Sequence, residues 1–465
     1  MSREILPDYE TRFLFPPSLE DWVGPDHPVR YIREFVDALD LDKLGLSDEQ
    51  KSRREDSTGR PHYGVRLLLK VWLYGYMYRI RSSRALETAC RDLLPLVWLA
   101  GTHRPDHNTL WRFWNRYRAT IREVFLQSVR VAMSEKLIGM VLQAVDGTKI
   151  KSASSKRTAW HEVDLKKILG ELEQQIGRLE EEIAAAGEEG GGPDDNLPKD
   201  LQKRDELRTR IKDALAALTE ADRKHMQPHD PEARLMVSQG RTEFAYNAQA
   251  VVDQQIGIIV AADVTDQEND EHQLVPMLEQ TAQNLSGYAT TTLADSGYHT
   301  AEGLAQAEAM GANVLVAVKE KDREVGPYHT THFMHDEQAD AVICPEGQIL
   351  PRMGTRRHHQ KPYPVKTYRC RVFSTCPVAK LCSSDPKGRV IEISPHHQVV
   401  IRNRRHPNAR ELLKQRQEIA ERPFAEIKET LGIRRWSFRG VLKVKSQWWL
   451  ICAAMNLRRM LAAHP

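Results

Sequence analysis

At 465 residues the chain is long enough to bury a large core and too long for one typical domain, and its 41% hydrophobic and 28% charged residues are ordinary for a soluble globular protein. No apolar run reaches the ~18 residues of a membrane span, and Ser2-Arg3-Glu4 runs into Pro7-Asp8 without the apolar stretch of a secretory signal, so the expected compartment is the cytoplasm, with no membrane partner. The net charge of +3 hides a segregation: from Arg402 to the end, fifteen Lys and Arg stand against five Glu and no Asp, which points to a polyanion partner.

Residues 1–135 read as an all-helical, DNA-binding domain. Asp26-His27-Pro28 precedes an amphipathic run with Val29, Ile32, Phe35, Val36 and Leu39 on one face. A polar stretch, Ser47 to Pro61, interrupts. Val65 to Tyr78 then reads as a mostly buried helix, and Ser82-Ser83 caps another through Leu86 and Cys90. After a turn at Gly101 and Pro105, Asp106 is a good N-cap for a helix carrying Trp111, Arg112, Phe113, Trp114, Arg116 and Tyr117. Helix, short turn, then a helix rich in Arg and aromatics is compatible with a helix-turn-helix DNA reader using Arg112 and Arg116, although the tryptophans are equally readable as core.

The apolar run Met140 to Val145 reads as a buried strand closed by Asp146, with Asp146-Gly147-Thr148-Lys149 as a tight turn. Thr290 to Ala294 is a second β-prone run, and it too ends in an acid, Asp295. A carboxylate at the mouth of a buried strand is costly unless paired, hydrogen-bonded or bound to metal, so the two strand ends together form a candidate Mg²⁺ site. Between them Leu165, Leu169, Leu172, Ile176, Leu179 and Ile183 follow heptad steps, Gly190-Gly191-Gly192-Pro193 breaks the run, and Leu207, Ile211, Ala214, Leu218 and Ala221 return. This predicts a coiled-coil hairpin insertion over residues 161–225. Strands over Glu243–Val252 and Ile256–Val264, a helix through Leu274 and Leu278, the Asp295 strand, a helix from Thr300 to Met310 and a strand from Val314 to Val318 complete the order. Three strands, helix, strand, helix, strand predicts an α/β fold, an RNase H-like mixed sheet built from 136–319 and 401–465. A doubly wound nucleotide-binding fold would need alternation from the start and a Gly-rich loop.

Residues 320–400 form a Cys/His-rich insertion expected to be rich in loops and poor in core. Cys344, Cys370, Cys376 and Cys382 are candidate ligands of a structural Zn²⁺, with His358, His359, His396 and His397 as further donors, although no C-x₂-C pair occurs. Six cysteines without a secretory signal fit reduced thiols or a metal better than disulfides. Helices are expected from Glu411 to Leu431, interrupted by Pro423, and from Lys443 to Leu461. A third carboxylate usually completes a phosphodiester site, and Glu418, Glu421, Glu426 and Glu429 all remain candidates; Glu421 and Lys428 share a helix face.

The segments Val145-Asp146-Gly147-Thr148, Tyr246-Asn247-Ala248-Gln249, Ala294-Asp295-Ser296-Gly297-Tyr298 and Glu421-Arg422-Pro423-Phe424-Ala425-Glu426-Ile427-Lys428 resemble the motifs of bacterial insertion-sequence DDE transposases. Phe15-Pro16-Pro17-Ser18 and Pro105-Asp106-His107-Asn108-Thr109 are similar to that group as well, so the resemblance spans nearly the whole chain. It implies Asp146, Asp295 and Glu421 as a catalytic, metal-holding triad, with Lys428 as the Lys of a Glu-x₆-Lys signature. That signature also carries a Tyr and an Arg ahead of the Glu. Here Arg416 stands one residue further from Glu421 than the signature expects, and Leu413 or Lys414 occupies the Tyr place.

The implied chemistry is two-metal phosphoryl transfer with Mg²⁺ or Mn²⁺. One ion activates a water or a 3′-hydroxyl and the other stabilises the leaving oxygen, with the ions ~3.5–4 Å apart and no covalent nucleophile needed. The implied partners are transposon ends and target DNA. Lys428, Arg434, Arg435, Arg439 and Lys443 would grip phosphates, and a homo-oligomer would assemble on the DNA. The rival readings are a catalytically silent transposase relic acting as a regulator, and a plain nuclease on the same core.

Overall fold

The structure, a computed structural model, describes residues 18–46, 62–188, 197–238, 240–318, 326–358 and 363–463. Phe15 to Pro17, the Ser47–Pro61 stretch, the glycine break at 190–193 and His359 lie outside the described residues.

The N-terminal region is helical: α1 (Pro28–Ala38), α2 (Val65–Met77), α3 (Ser83–Asp92), α4 (Leu94–Leu99), α5 (His107–Tyr117) and α6 (Ile121–Ser134). Two expected caps are in place. Ser82 Oγ accepts from Ala85 N–H at 3.1 Å, and Asp106 Oδ1 accepts from Thr109 N–H at 2.7 Å, each satisfying an orphan donor of a first turn. The helix-turn-helix expectation needs correction, because α4 fills the connection between α3 and α5. Leu96, Trp98 and Leu99 bury there, and the joint is not a short turn. On α5 the core face is Leu110, Phe113, Trp114 and Tyr117, whereas Trp111, Arg112 and Arg116 are exposed.

The chain then enters β1 (Leu142–Lys151), β2 (Trp160–His161), α7 (Glu162–Glu188), α8 (Leu197–Glu220), β3 (His225–Met226), β4 (Arg234–Ser238), β5 (Arg241–Asp253), β6 (Ile259–Thr265), α9 (Leu274–Leu285), β7 (Thr291–Ala294), α10 (Ala301–Ala309) and β8 (Val314–Val316). The main sheet is mixed. β1 lies between β5, which is antiparallel to it, and β7, which is parallel and in turn pairs with the parallel β8. The outer edge of β5 is shared, with β4 pairing to its first half and β6 to its second. The tight turn expected at Asp146-Gly147 is not there. β1 runs straight on, pairing with β5 as far as Lys151↔Ala245. Asp-Gly is a turn former in isolation, but thirteen-residue β5 supplies a partner ladder that keeps the segment extended.

α7 and α8 pack against each other in a core of their own, with Leu165, Leu172 and Ile176 meeting Ile211, Ala214 and Leu218. Of the expected seam, Leu207 and Ala221 are exposed. The β2–β3 pair, Trp160↔Met226 and His161↔His225, ties the base of this hairpin.

The Cys/His-rich insertion is not the loop-rich segment its composition suggests. β9 (Met334–Asp336), β10 (Ala341–Ile343), β11 (Ile349–Arg356), β12 (Val365–Arg369) and β13 (Val390–Ile393) form an antiparallel sheet in sequence order, with short α11 (Ala379–Cys382) before its last strand. Phe333, Val342, Leu350, Tyr368, Ile391 and Ile393 form its core. These strands are short and the β11–β12 register shifts between Arg352 and Gly354, so the period-two signal in the sequence is faint.

The C-terminal region comprises α12 (His397–Arg404), α13 (Ala409–Ala425) and α14 (Val441–Ala463). Pro423 does not interrupt α13 as expected. The helix continues past it and widens into a π-helical turn, Glu426–Thr430. Proline lacks the N–H that would bond back to Ile419, so the ladder loses one bond there without ending the helix. α14 is buried along most of its length and lies on the sheet. Trp448 Nε1 donates to Gln249 O at 2.9 Å, Trp449 Nε1 donates to Ala262 O at 2.8 Å, and the Asn456 amide brackets both backbone groups of Ile259. Asn456 Nδ2 also reaches Ser128 Oγ of α6, and a single hydrophobic cluster runs from the N-terminal helices through the sheet to α14.

Candidate active site

The parallel ladder between β1 and β7 ends at Val145↔Ala294. The next residue on each strand is an aspartate, so Asp146 and Asp295 emerge side by side where β7 stops and β1 continues on β5 alone. A third acid joins them from the loop before α9. Asp270 Oδ1 accepts from Asn247 Nδ2 and Gln249 Nε2, both at 2.7 Å, and both donors stand on β5 opposite β1. Tyr298, fully buried, donates its hydroxyl to Gln249 Oε1 and so fixes which end of that amide faces Asp270. Gly147 is glycine for lack of room: a Cβ there would stand 2.8 Å from Asp270 Oδ1 and closer still to Gln249 Nε2.

The electrostatics follow from this crowding. Burial pushes the Asp146 carboxyl up to about 6. The Arg416 guanidinium and the Gly147 N–H pull it down, while Asp295 and Asp270 push it up further. Arg416 Nη1 contacts Asp146 Oδ2 at 3.2 Å, and Gly147 N–H donates to Asp146 Oδ1 at 2.8 Å. Asp295 Oδ1 accepts from Gly297 N–H as the cap of a single 3₁₀ turn, Ser296–Tyr298. Arg416, displaced by one residue from the signature position, is therefore the side chain that α13 lays against Asp146.

Glu421 stands on the same helix but is exposed, and its carboxylate accepts from Gln417 Nε2 at 3.2 Å. The other glutamates turn elsewhere: Glu426 pairs with Arg458 and Arg459, and Glu429 with Arg434. Lys428, in the π-helical turn, is half-buried. Burial lowers its pKa, and the Asp146 charge is the next influence, raising it. Arg79, from the turn after α2, donates to the carbonyls of Glu429 and Thr430 and closes that turn.

The donor set suits a hard divalent cation. Two adjacent carboxylates with a third close by carry more negative charge than Arg416 offsets, and oxygen ligands are what Mg²⁺ and Mn²⁺ take. Among the described residues no three His, Cys, Asp or Glu side chains form a ready metal cage, so Glu421 does not close the site as it stands. The same holds for the cysteines. All four are free thiols and partly buried, and Cys344, Cys370 and Cys376 lie near enough to Cys382 to influence it electrostatically. The accompanying histidines are engaged elsewhere, His358 on Glu392, His396 on the Tyr363 ring and His397 near His335.

Two family models match the chain: a Transposase DDE domain over residues 343–461 and a Transposase domain (DUF772) over residues 17–116. These two matches, at opposite ends of the chain, indicate an insertion-sequence transposase. No curated protein matches it. Glu421 and Lys428 of this transposase fall inside the DDE-domain match, while Asp146 and Asp295 lie between the two matches and are brought to α13 by the sheet. Asp270 escaped the sequence reading because Asp-Glu-rich loops are common on surfaces. Its signal was the pair of amides at Asn247 and Gln249, alternate residues that point to one face of β5.

The basic block divides on inspection. Arg435 Nε and Nη2 donate to the carbonyls of Ser152, Ala153 and Ser154, clamping the chain beyond β1, and Arg434 pairs with Glu429. Both are exposed, with part of each guanidinium already engaged within the protein. Arg439 and Lys443 have no carboxylate partner among the described residues, and Arg112 on α5 is exposed to solvent.

Proposed function

We propose that this transposase binds the ends of its element and performs divalent-metal-dependent DNA strand cleavage and strand transfer on an RNase H-like core. The observation that carries the reading is the paired strand ends. Parallel β1 and β7 terminate their ladder immediately before Asp146 and Asp295, on a sheet whose order β6-β5-β1-β7-β8 supports an RNase H-like assignment.

Asp146 and Asp295 would hold the metal, with Glu421 as the third ligand brought from α13. Bound there, Mg²⁺ or Mn²⁺ would supply Lewis-acid activation of an attacking water or 3′-hydroxyl and stabilise the leaving oxygen. The protein's own groups do the rest. Asn247 and Gln249 hold Asp270 in place behind the two aspartates, Arg416 restrains Asp146, and Lys428 presents a positive charge beside the site for a DNA phosphate. Arg439, Lys443 and Arg112 are the proposed backbone contacts, and assembly on DNA as a homo-oligomer belongs to the same reading.

The test is a set of single variants, Asp146→Asn, Asp295→Asn and Glu421→Gln, assayed on a plasmid carrying the element's ends with Mg²⁺ or Mn²⁺. Each is expected to lose cleavage while keeping near-normal affinity for end DNA. Full cleavage by any one removes that residue from the site. A wild-type protein that binds the ends without cutting them would leave the regulator reading in its place.

A further inference from the structure

A cavity of about 390 Å³ lies where the N-terminal helices meet the C-terminal basic block, lined among others by Trp111, Trp114, Phe438, Arg439 and Lys443. Three features give it a chemical character. Trp111 is 49% exposed, a large aromatic face left open to solvent. Trp114 is 1% exposed, and its Nε1, buried, has no hydrogen-bond partner; its ring is stacked on Phe438 at 4.8 Å with planes 15° apart. Arg439 and Lys443 add two positive charges that form no ion pair among the described residues, while Asp230 and Glu232 are taken up by the backbone N–H groups of Gly440 and Val441 between them.

An open indole face and two cations match the parts of one nucleotide: a base to stack and a phosphate. A base inside a duplex has both faces covered by its neighbours, so only an unpaired one can present a face to Trp111. We infer that this cavity seats an unpaired nucleotide of the bound DNA, stacked on Trp111 and held at its phosphate by Arg439 and Lys443. The inference rests on the proposed DNA-processing function and specifies where, and in what form, the DNA is gripped. β1 runs extended from Asp146 to Lys151, about 17 Å, before the chain reaches Ala153 on the cavity wall, so the seated nucleotide is not the reacting one. The cavity joins a wall from each transposase-domain match, Trp111 and Trp114 from one and Phe438, Arg439 and Lys443 from the other, so its occupant would bridge them.

The experiment compares full-length protein on two short duplexes, one blunt and one ending in an unpaired tail that carries 2-aminopurine. Wild type should bind the tailed duplex more tightly by roughly 5- to 150-fold, the range expected for one stacked base, with the 2-aminopurine emission quenched. Trp111→Ala should erase both the preference and the quench while leaving blunt-duplex affinity unchanged, and Trp111→Phe should retain most of each. Because Trp111 is exposed, the variant's circular dichroism should match wild type. Replacing Arg439 and Lys443 together by Ala should weaken binding of the tailed duplex and flatten its salt dependence by about one unit, for the one phosphate seated between them. Equal affinity for the two duplexes, or a preference that survives Trp111→Ala, would overturn the inference. Failure to bind the blunt duplex at all would instead strike the proposed function.

Discussion

Asp146 is held at a cost. Its carboxyl is pushed up to about 6 by burial first, against the pull of Arg416, so its charged form is disfavoured in the folded protein. A carboxyl whose folded pKa lies above its unfolded value contributes stability at low pH and loses it as pH rises through the folded pKa. Metal-free protein should therefore lose stability between about pH 4 and pH 6, on the order of 2–3 kcal/mol from this side chain. Asp146→Asn should flatten that step, as read from urea unfolding across the pH series. A step of the same size in the variant would assign it to another group. The same shift sets the metal response: Mg²⁺ should stabilise wild type strongly above pH 6 and weakly below pH 5, because protons and the cation compete for one carboxylate.

At the scale of elements, strand pairing overrules local turn chemistry at Asp146-Gly147, and helix continuity overrules Pro423. Both departures fall at the site, where α13 crosses the ends of β1 and β7 and then widens to carry Lys428. The insertion shows a different balance, since its core of six side chains is small for a free-standing sheet. Cys344 lies beyond β10, with its Sγ accepting from Gln348 N–H at 3.3 Å, Cys370 follows β12, and Cys382 ends α11, so three separate elements deliver thiols to one end of that sheet. A bound ion there would supply the cross-link that so small a core lacks. Metal analysis of purified protein is expected to find about one Zn²⁺ per chain, and chelation should open residues 334–393 to protease. Protein free of zinc whose insertion still resists protease would end that expectation.

At the scale of the molecule, the regions matched by the two family models are not independent bodies. α14 packs on α2 and α6 as well as on β6, and its buried residues belong to the same cluster as Trp72 and Trp114. Removing the N-terminal helices would expose that face of α14. Unfolding followed by tryptophan fluorescence and by far-ultraviolet dichroism should give coincident transitions for the main body, since buried tryptophans report from both regions. The α7–α8 hairpin, like the β9–β13 insertion, has its own core, and its base is closed by β2 and β3. Replacing residues 162–224 by a short linker should leave the main transition in place; a transition that broadens or splits would show that the hairpin braces the core.

Much of this was written in the chain itself. Strand-end acids after two β-prone runs, the helical N-terminal region, the paired heptad-spaced helices and the basic terminus follow from periodicity and charge, because burial imposes period two on strands and period 3.6 on helices. Local pattern could not say which side chains would meet. The separation of Asp146, Asp270, Asp295 and Arg416 along the sequence is closed only by the parallel β1–β7 ladder and the crossing of α13. Nor could it show that Arg435 spends its donors on the chain beyond β1 while Arg439 and Lys443 stay open beside Trp111. Such contacts depend on where the backbone leaves carbonyls without partners, and that is settled only when the sheet and α14 have packed.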